Sequence, residues 1–123
     1  MRIYYLHHSA VCVALEESLL VFDYYRFAQR KGIPDGHVSV EDIKAAGRAY
    51  VFVSHAHGDH FNRRIFDWAD IGVPVTFILD DTVPAANVPQ GAVVLCRGEA
   101  YDDGYIQVRE FGSTDMGGSF YVE

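Results

Sequence analysis

The sequence predicts an α+β domain in which a mixed β-sheet carries two helices on one face. Three observations lead there. Short runs rich in β-branched and aromatic residues recur along the chain. Only two stretches, near 39–47 and 62–71, carry helix signals. Between them, Tyr50–Ser54 (YVFVS) is an apolar run ending in a polar residue, the pattern of a buried, central strand.

The elements follow in order. Ile3–Leu6 and Val11–Leu15 are strands, and Leu19–Tyr24 comes after Glu16-Glu17-Ser18, a hairpin turn. Arg26–Gly36 is charged and closes on Pro34-Asp35-Gly36, which has turn chemistry. Ser39-Val40-Glu41-Asp42 resembles a capping box, with two carboxylates in the first turn where the helix dipole favours them. That helix is short and ends at Gly47. The second helix spans Asn62–Ile71, with Phe61, Ile65, Trp68 and Ala69 on one face, and Gly72 and Pro74 close it. Val75–Leu79 is another apolar strand, and Asp80–Gln90, which holds Pro84 and Pro89, is a loop. Val93–Cys96, Tyr105–Phe111 and Phe120–Val122 are further strands. Asp102-Asp103-Gly104 is a hairpin turn, and the segment from Gly112 to Gly118 separates the last two strands.

Composition bounds the function. The 123 residues, 50% hydrophobic and 22% charged, make one globular domain spanning 1–123. Aromatic residues at 14% exclude a disordered chain. No apolar run approaches the roughly 20 residues of a membrane-spanning helix. The start MRIYYLHHSA lacks the apolar run and cleavage site of a secretory signal, so a cytoplasmic protein is expected. A net charge of −7 argues against general nucleic-acid binding. Cys12 and Cys96 each sit in an apolar run and are read as buried thiols. There is no GxSxG, no phosphate-cradling glycine loop, and no nucleophile signature at Ser9, Ser54 or Ser113.

The chemistry concentrates in Ser54-His55-Ala56-His57-Gly58-Asp59-His60. His55, His57, Asp59 and His60 place four metal-competent side chains within six positions, directly after a buried strand. Imidazole and carboxylate suit zinc, iron(II) or manganese. The spacing suits two adjacent sites, His55 with His57 and Asp59 with His60, the last two at the entrance of the second helix. Gly58 is expected to allow the tight turn between them. A closed structural zinc site is a weaker reading, because such sites favour cysteine and neither cysteine is near in sequence.

HAHGDH matches the HxHxDH signature of the metallo-β-lactamase fold, and here it follows a hydrophobic strand. Asp23, in LLVFDYY, resembles the family's earlier aspartate that buttresses the metal loop. With HHSAVCVAL and FGSTDMGGSFYVE, the sequence resembles the lactonase-like, hydrolase branch of that superfamily. The resemblance implies an αββα sandwich of which this chain is the N-terminal half. It implies one or two metal ions, usually zinc, with iron or manganese as alternatives. A metal-bound hydroxide then attacks an ester, lactone, amide or phosphoester of a small-molecule substrate, and Asp59 binds one metal and orients that hydroxide. His8, in a His-Ser pair that many relatives carry near the metal mouth, is a candidate to line the pocket, the other reading being a histidine at the end of the first strand.

Two departures stand out. The family supplies a further histidine some fifty residues after the motif, where this chain has Gly112-Ser113-Thr114-Asp115; Asp115 is the candidate oxygen ligand there. No histidine follows His60. The alternative to an enzyme is therefore a non-catalytic, metal-binding half-domain that forms a homodimer through an exposed apolar sheet face. His37 and the Asp80-Asp81 pair are read as solvated, and Tyr4, Tyr5, Tyr24 and Tyr25 as packing residues.

Overall fold

The computed structural model describes residues 1–27, 32–86, 88–113 and 117–123. β1 (Arg2–His7), β2 (Ala10–Ala14) and β3 (Leu19–Phe22) pair antiparallel. β3 then pairs in parallel with β4 (Ala49–Val53), β4 with β5 (Val75–Asp80), and β5 with β6 (Val93–Leu95). Together they form a six-stranded mixed sheet in that order. β7 (Ala100–Asp102), β8 (Gln107–Gly112) and β9 (Gly118–Val122) form a second, antiparallel sheet.

Alternation along the central strands divides the core into two layers. Leu19, Val21, Ala49, Val51, Val53, Phe77 and Leu79 face Ile43 of helix α1 (Val40–Ala46) together with Ile65 and Trp68 of a 3₁₀ helix, Arg63–Asp70. Leu20, Tyr50, Phe52 and Ile78 face the other way, onto Ile106 and Val108 at the second sheet. The α+β class, the mixed sheet and two helices on one face are as expected, and the arrangement is consistent with half of a sandwich. All five residues of β4 are 0% exposed, so the strand is central and covered on both faces. The second sheet covers much of the face expected to be open. The face stays open at β1, where Ile3 and Tyr5 pair with Val13 and Val11 and are 66% and 70% exposed.

Helix α1 has only seven residues, too few to hold without tertiary contacts. Its ends are satisfied explicitly. The Ser39 hydroxyl accepts from the Asp42 N–H at 3.1 Å, and the Asp42 carboxylate accepts from the Ser39 N–H at 3.0 Å. Gly47, at φ +81°, donates its N–H to Ile43 and Lys44. Ser39→Ala is expected to cost about 1 kcal/mol, read as a lower urea midpoint at unchanged slope.

Several expectations are corrected. The second helix is 3₁₀, so residues three apart align; Ile65 and Trp68 are buried while Ala69 is exposed. β7 is an additional strand, too short at three residues to show a period. Cys96 is exposed, because β6 ends at Leu95 and the chain turns outward; only Cys12 is buried. Asp80 is the last residue of β5 and 3% exposed rather than solvated. His37 is half-buried, and Tyr5 is exposed instead of packed. Among the described residues, no helix is long and apolar enough to cross a membrane.

Candidate metal centre

Parallel strands bring their C-terminal ends to one edge of the sheet, where open α/β sheets commonly bind ligands. Asp23 follows β3, Ser54 and His55 follow β4, and Asp80 ends β5. After His55 the chain makes a turn closed by the N–H groups of His60 and Phe61 on the His57 carbonyl, each at 2.9 Å. The 3₁₀ helix begins only at Arg63, behind an Asn62 cap, so Asp59 and His60 belong to the turn and not to the helix entrance. Gly58 has no positive φ, and a Cβ there would meet open space. The left-handed backbone lies instead at Asp23 (φ +50°) and His8 (φ +41°), both non-glycine residues at the site.

Asp23 organises the centre. It is buried, and its carboxylate accepts from the Ser54 N–H at 2.8 Å, the Ser54 hydroxyl at 2.6 Å and His60 Nδ1 at 2.9 Å. Its two oxygens are thereby engaged three times. A carboxylate only accepts, so His60 carries its proton on Nδ1 and presents a lone pair at Nε2. The Ser54 hydroxyl has one proton and gives it to Asp23. Its contact with His55 Nδ1, at 2.7 Å, must then be one in which Ser54 accepts. His55 is thus protonated on Nδ1 and keeps a lone pair on Nε2. That Nε2 is buried and has no hydrogen-bond partner among the described residues.

The other motif residues gather around this pair. The His55 and His60 rings are 4.5 Å apart, and His57 lies 5.9 Å from His55 on the exposed side. Asp59 Oδ1 is 3.7 Å from His60 Nε2, and Asp59 Oδ2 is 3.2 Å from His8 Nε2. The Ser9 hydroxyl donates to the Asp59 carbonyl at 2.5 Å, which ties the turn to the β1–β2 hairpin. Desolvation would raise the Asp59 carboxyl, but the adjacent His60 and the hydrogen bond from His8 outweigh it and hold the group below its ordinary value. Asp23, His55 and His60 each bring one possible ligand atom within 4.8 Å of the others. Among the described residues, the group that could hold one ion thus joins a member of each expected pair, His55 and His60, with Asp23. Asp115 lies outside the described residues.

Ser54 and Glu110 carry no sign of the site in the sequence, and Asp80 reads there as solvated. Ser54 adjoins the motif and could have been found by asking what fixes the histidine tautomers. Glu110 follows Val108 by two, so strand alternation alone points it inward.

No family model matches this chain. It is similar to a UPF0173 metal-dependent hydrolase of Cereibacter sphaeroides, at 29% identity over 80 residues, covering 65% of this chain and 33% of that protein. The chain thus matches about a third of the length of that curated relative.

Proposed function

We propose that this chain carries the metal-binding part of a metal-dependent hydrolase acting on an ester, lactone, amide or phosphoester. His55 Nε2, buried and without a hydrogen-bond partner among the described residues, carries the reading. A lone pair fixed by Ser54 and Asp23, withdrawn from water and meeting no donor among the described residues, costs free energy that a metal ion would recover. The Cereibacter relative, named as a metal-dependent hydrolase, supports the same reading.

His55 and His60 would bind through Nε2, with His57 and Asp59 beside them and Asp115 as the candidate further oxygen. Asp23 acts through the histidines, because its oxygens are already engaged. Nitrogen and oxygen donors suit one or two zinc ions, with iron(II) or manganese as alternatives. When bound, such an ion supplies a Lewis acid and lowers the pKa of its water toward about 7. The chain's own part is to fix the ligand lone pairs and to present the ionised Asp59 carboxylate at the solvent side. His8 restrains that carboxylate through its Nε2, 3.2 Å from Asp59 Oδ2.

The test is metal binding and turnover together. The chain should bind zinc in a chelator competition and hydrolyse one of these substrate classes, and His55→Ala should lose both. Turnover surviving in metal-free His55→Ala would overturn the reading. The exposed Ile3 and Tyr5 favour a second reading, a non-catalytic half-domain that pairs through this face. Native mass spectrometry showing a zinc-loaded dimer with no turnover on any class would select it.

A further inference from the structure

Beneath the metal loop lies a second buried group of carboxyls that none of the preceding chemistry uses. Glu110 sits on the inward face of β8 and is 0% exposed. Its main chain is fully engaged: its N–H donates to the Glu99 carbonyl at 3.0 Å, and its carbonyl accepts from Gly98 at 2.8 Å. Its side chain is not. Neither carboxyl oxygen meets a donor among the described residues. The carboxyl that acts on it most strongly is Asp80, the buried last residue of β5.

Two carboxylates cannot bond to each other, since each only accepts; one must hold a proton. Asp80 Oδ2 already accepts from the Thr82 N–H at 2.9 Å and from the Thr82 hydroxyl at 2.5 Å, which favours its ionised form. A proton held between the two would therefore sit on Glu110, with its O–H directed at Asp80. This pair reaches the metal loop through glycine. A Cβ on Gly118 would strike the Glu110 carboxyl, and a Cβ on Gly117 would strike the Ser54 carbonyl and come within 2.9 Å of the His55 ring. Gly118 N–H also donates to the Ser54 carbonyl at 3.0 Å. Asp80, Glu110, Gly118, Ser54 and His55 thus form one continuous line of contact from β5 to the site.

We propose that Glu110 is a positioning residue: in its neutral form it donates to Asp80, docking the second sheet onto the ends of β4 and β5 and holding Gly117–Gly118 against Ser54 and His55. The docking stands whether or not an ion binds; only its effect on metal affinity rests on the proposed function.

The environment makes this docking sensitive to pH. Burial first, and then Asp80, Asp81 and Glu99, push the Glu110 carboxyl up to about 8. The acidic neighbours come from the end of β5 and the segment before β7. His55 lies beyond Asp80, Arg97 lies against Gly112, and Arg109 donates to the Gly98 carbonyl at 3.2 Å. A folded-state value raised from 4.5 to about 8 gives stability fully present below pH 4.5 and lost as pH rises to about 8. Across that window the folded chain holds one proton more than the unfolded chain, so this group alone lowers the folding constant by about tenfold per pH unit. His7, whose pKa burial lowers, acts in the opposite direction only below its ordinary 6.5, which leaves the upper part of the window to Glu110.

The test uses the metal-free chain with ¹³C-labelled glutamate carboxyls. One carboxyl should titrate near pH 8, the Gly117 and Gly118 amides should shift with the same midpoint, and both signals should vanish in Glu110→Gln. The glutamine amide still donates to Asp80, so this variant should keep zinc affinity within about threefold at pH 7. Glu110→Val leaves Asp80 unpaired and should lose about tenfold or more, in the range for supporting residues around a metal. Glu110 titrating in the ordinary glutamate range overturns the proposal. So do glycine amides that ignore its midpoint, or a glutamine variant as impaired in zinc binding as the valine one. If the valine variant does not fold, the titration of the wild type and of Glu110→Gln still decides. If the wild type binds no zinc, the proposed function fails while the titration still judges the docking.

Discussion

Asp23→Asn is expected to weaken zinc binding by about ten- to a hundred-fold at pH 7 while the chain stays folded. The substitution keeps the shape and the acceptor for the Ser54 N–H, which lies 2.8 Å from Asp23 Oδ1. It replaces Oδ2, which faces His60 and the Ser54 hydroxyl, by an NH₂ group. His60 Nδ1 then meets a donor and must become an acceptor, which moves its proton to Nε2. The amide also donates to the Ser54 hydroxyl, which turns its own proton toward His55 Nδ1. The second histidine inverts as well. One atom exchange places hydrogen on both nitrogens proposed to bind the ion. Chelator competition gives the affinity, and ¹⁵N-resolved spectra of the imidazoles give the tautomers. Wild-type zinc affinity in Asp23→Asn would sink the tautomer argument. Inverted tautomers with unchanged affinity would show that the ion binds elsewhere.

Much of this arrangement was legible in the sequence, for identifiable reasons. β4 announces itself because a strand covered on both faces is apolar without interruption, and Tyr50–Val53 is. Helix α1 is marked at both ends, since Ser39, Asp42 and Gly47 each satisfy backbone groups that a short helix would otherwise leave bare. The metal cluster is concentrated in six consecutive positions, and the earlier Asp23 was legible through the family resemblance. What stayed hidden depends on partners distant in sequence. Asp80 is buried because β5 lies inside the sheet between β4 and β6, which its local sequence does not show. Ser54 looks inert as a nucleophile because its hydroxyl is spent on Asp23 and His55. The 3₁₀ form of the second helix is hidden for a different reason: Ile65 and Trp68 are three apart, a spacing both helix types share, and only Ala69 separates them.

The glycines show the same division between local pattern and tertiary contact, and they yield the sharpest contrast. Gly117→Ala is expected to destabilise the chain by about 3 kcal/mol, combining left-handed backbone strain with a clash in a packed layer. Gly117 lies at φ +94°, and the added methyl would meet the Ser54 carbonyl and the His55 ring. Neither neighbour can yield freely: the Ser54 carbonyl accepts from Gly118, and Ser54 and His55 are held by Asp23. Relief therefore has to come from moving β9 outward or His55 off its axis, so zinc affinity should fall together with stability. Gly58→Ala is the control. It changes a residue inside the HAHGDH motif, where the sequence alone places the greater constraint. Yet Gly58 has ordinary φ, and a Cβ there meets nothing within 4 Å, so its cost should stay below about 1 kcal/mol. Urea denaturation of both metal-free variants decides the ranking. Equal losses would mean that β9 does not press on the loop as tightly as the contact geometry requires. A large loss at Gly58 with none at Gly117 would place the conformational constraint back within the motif itself.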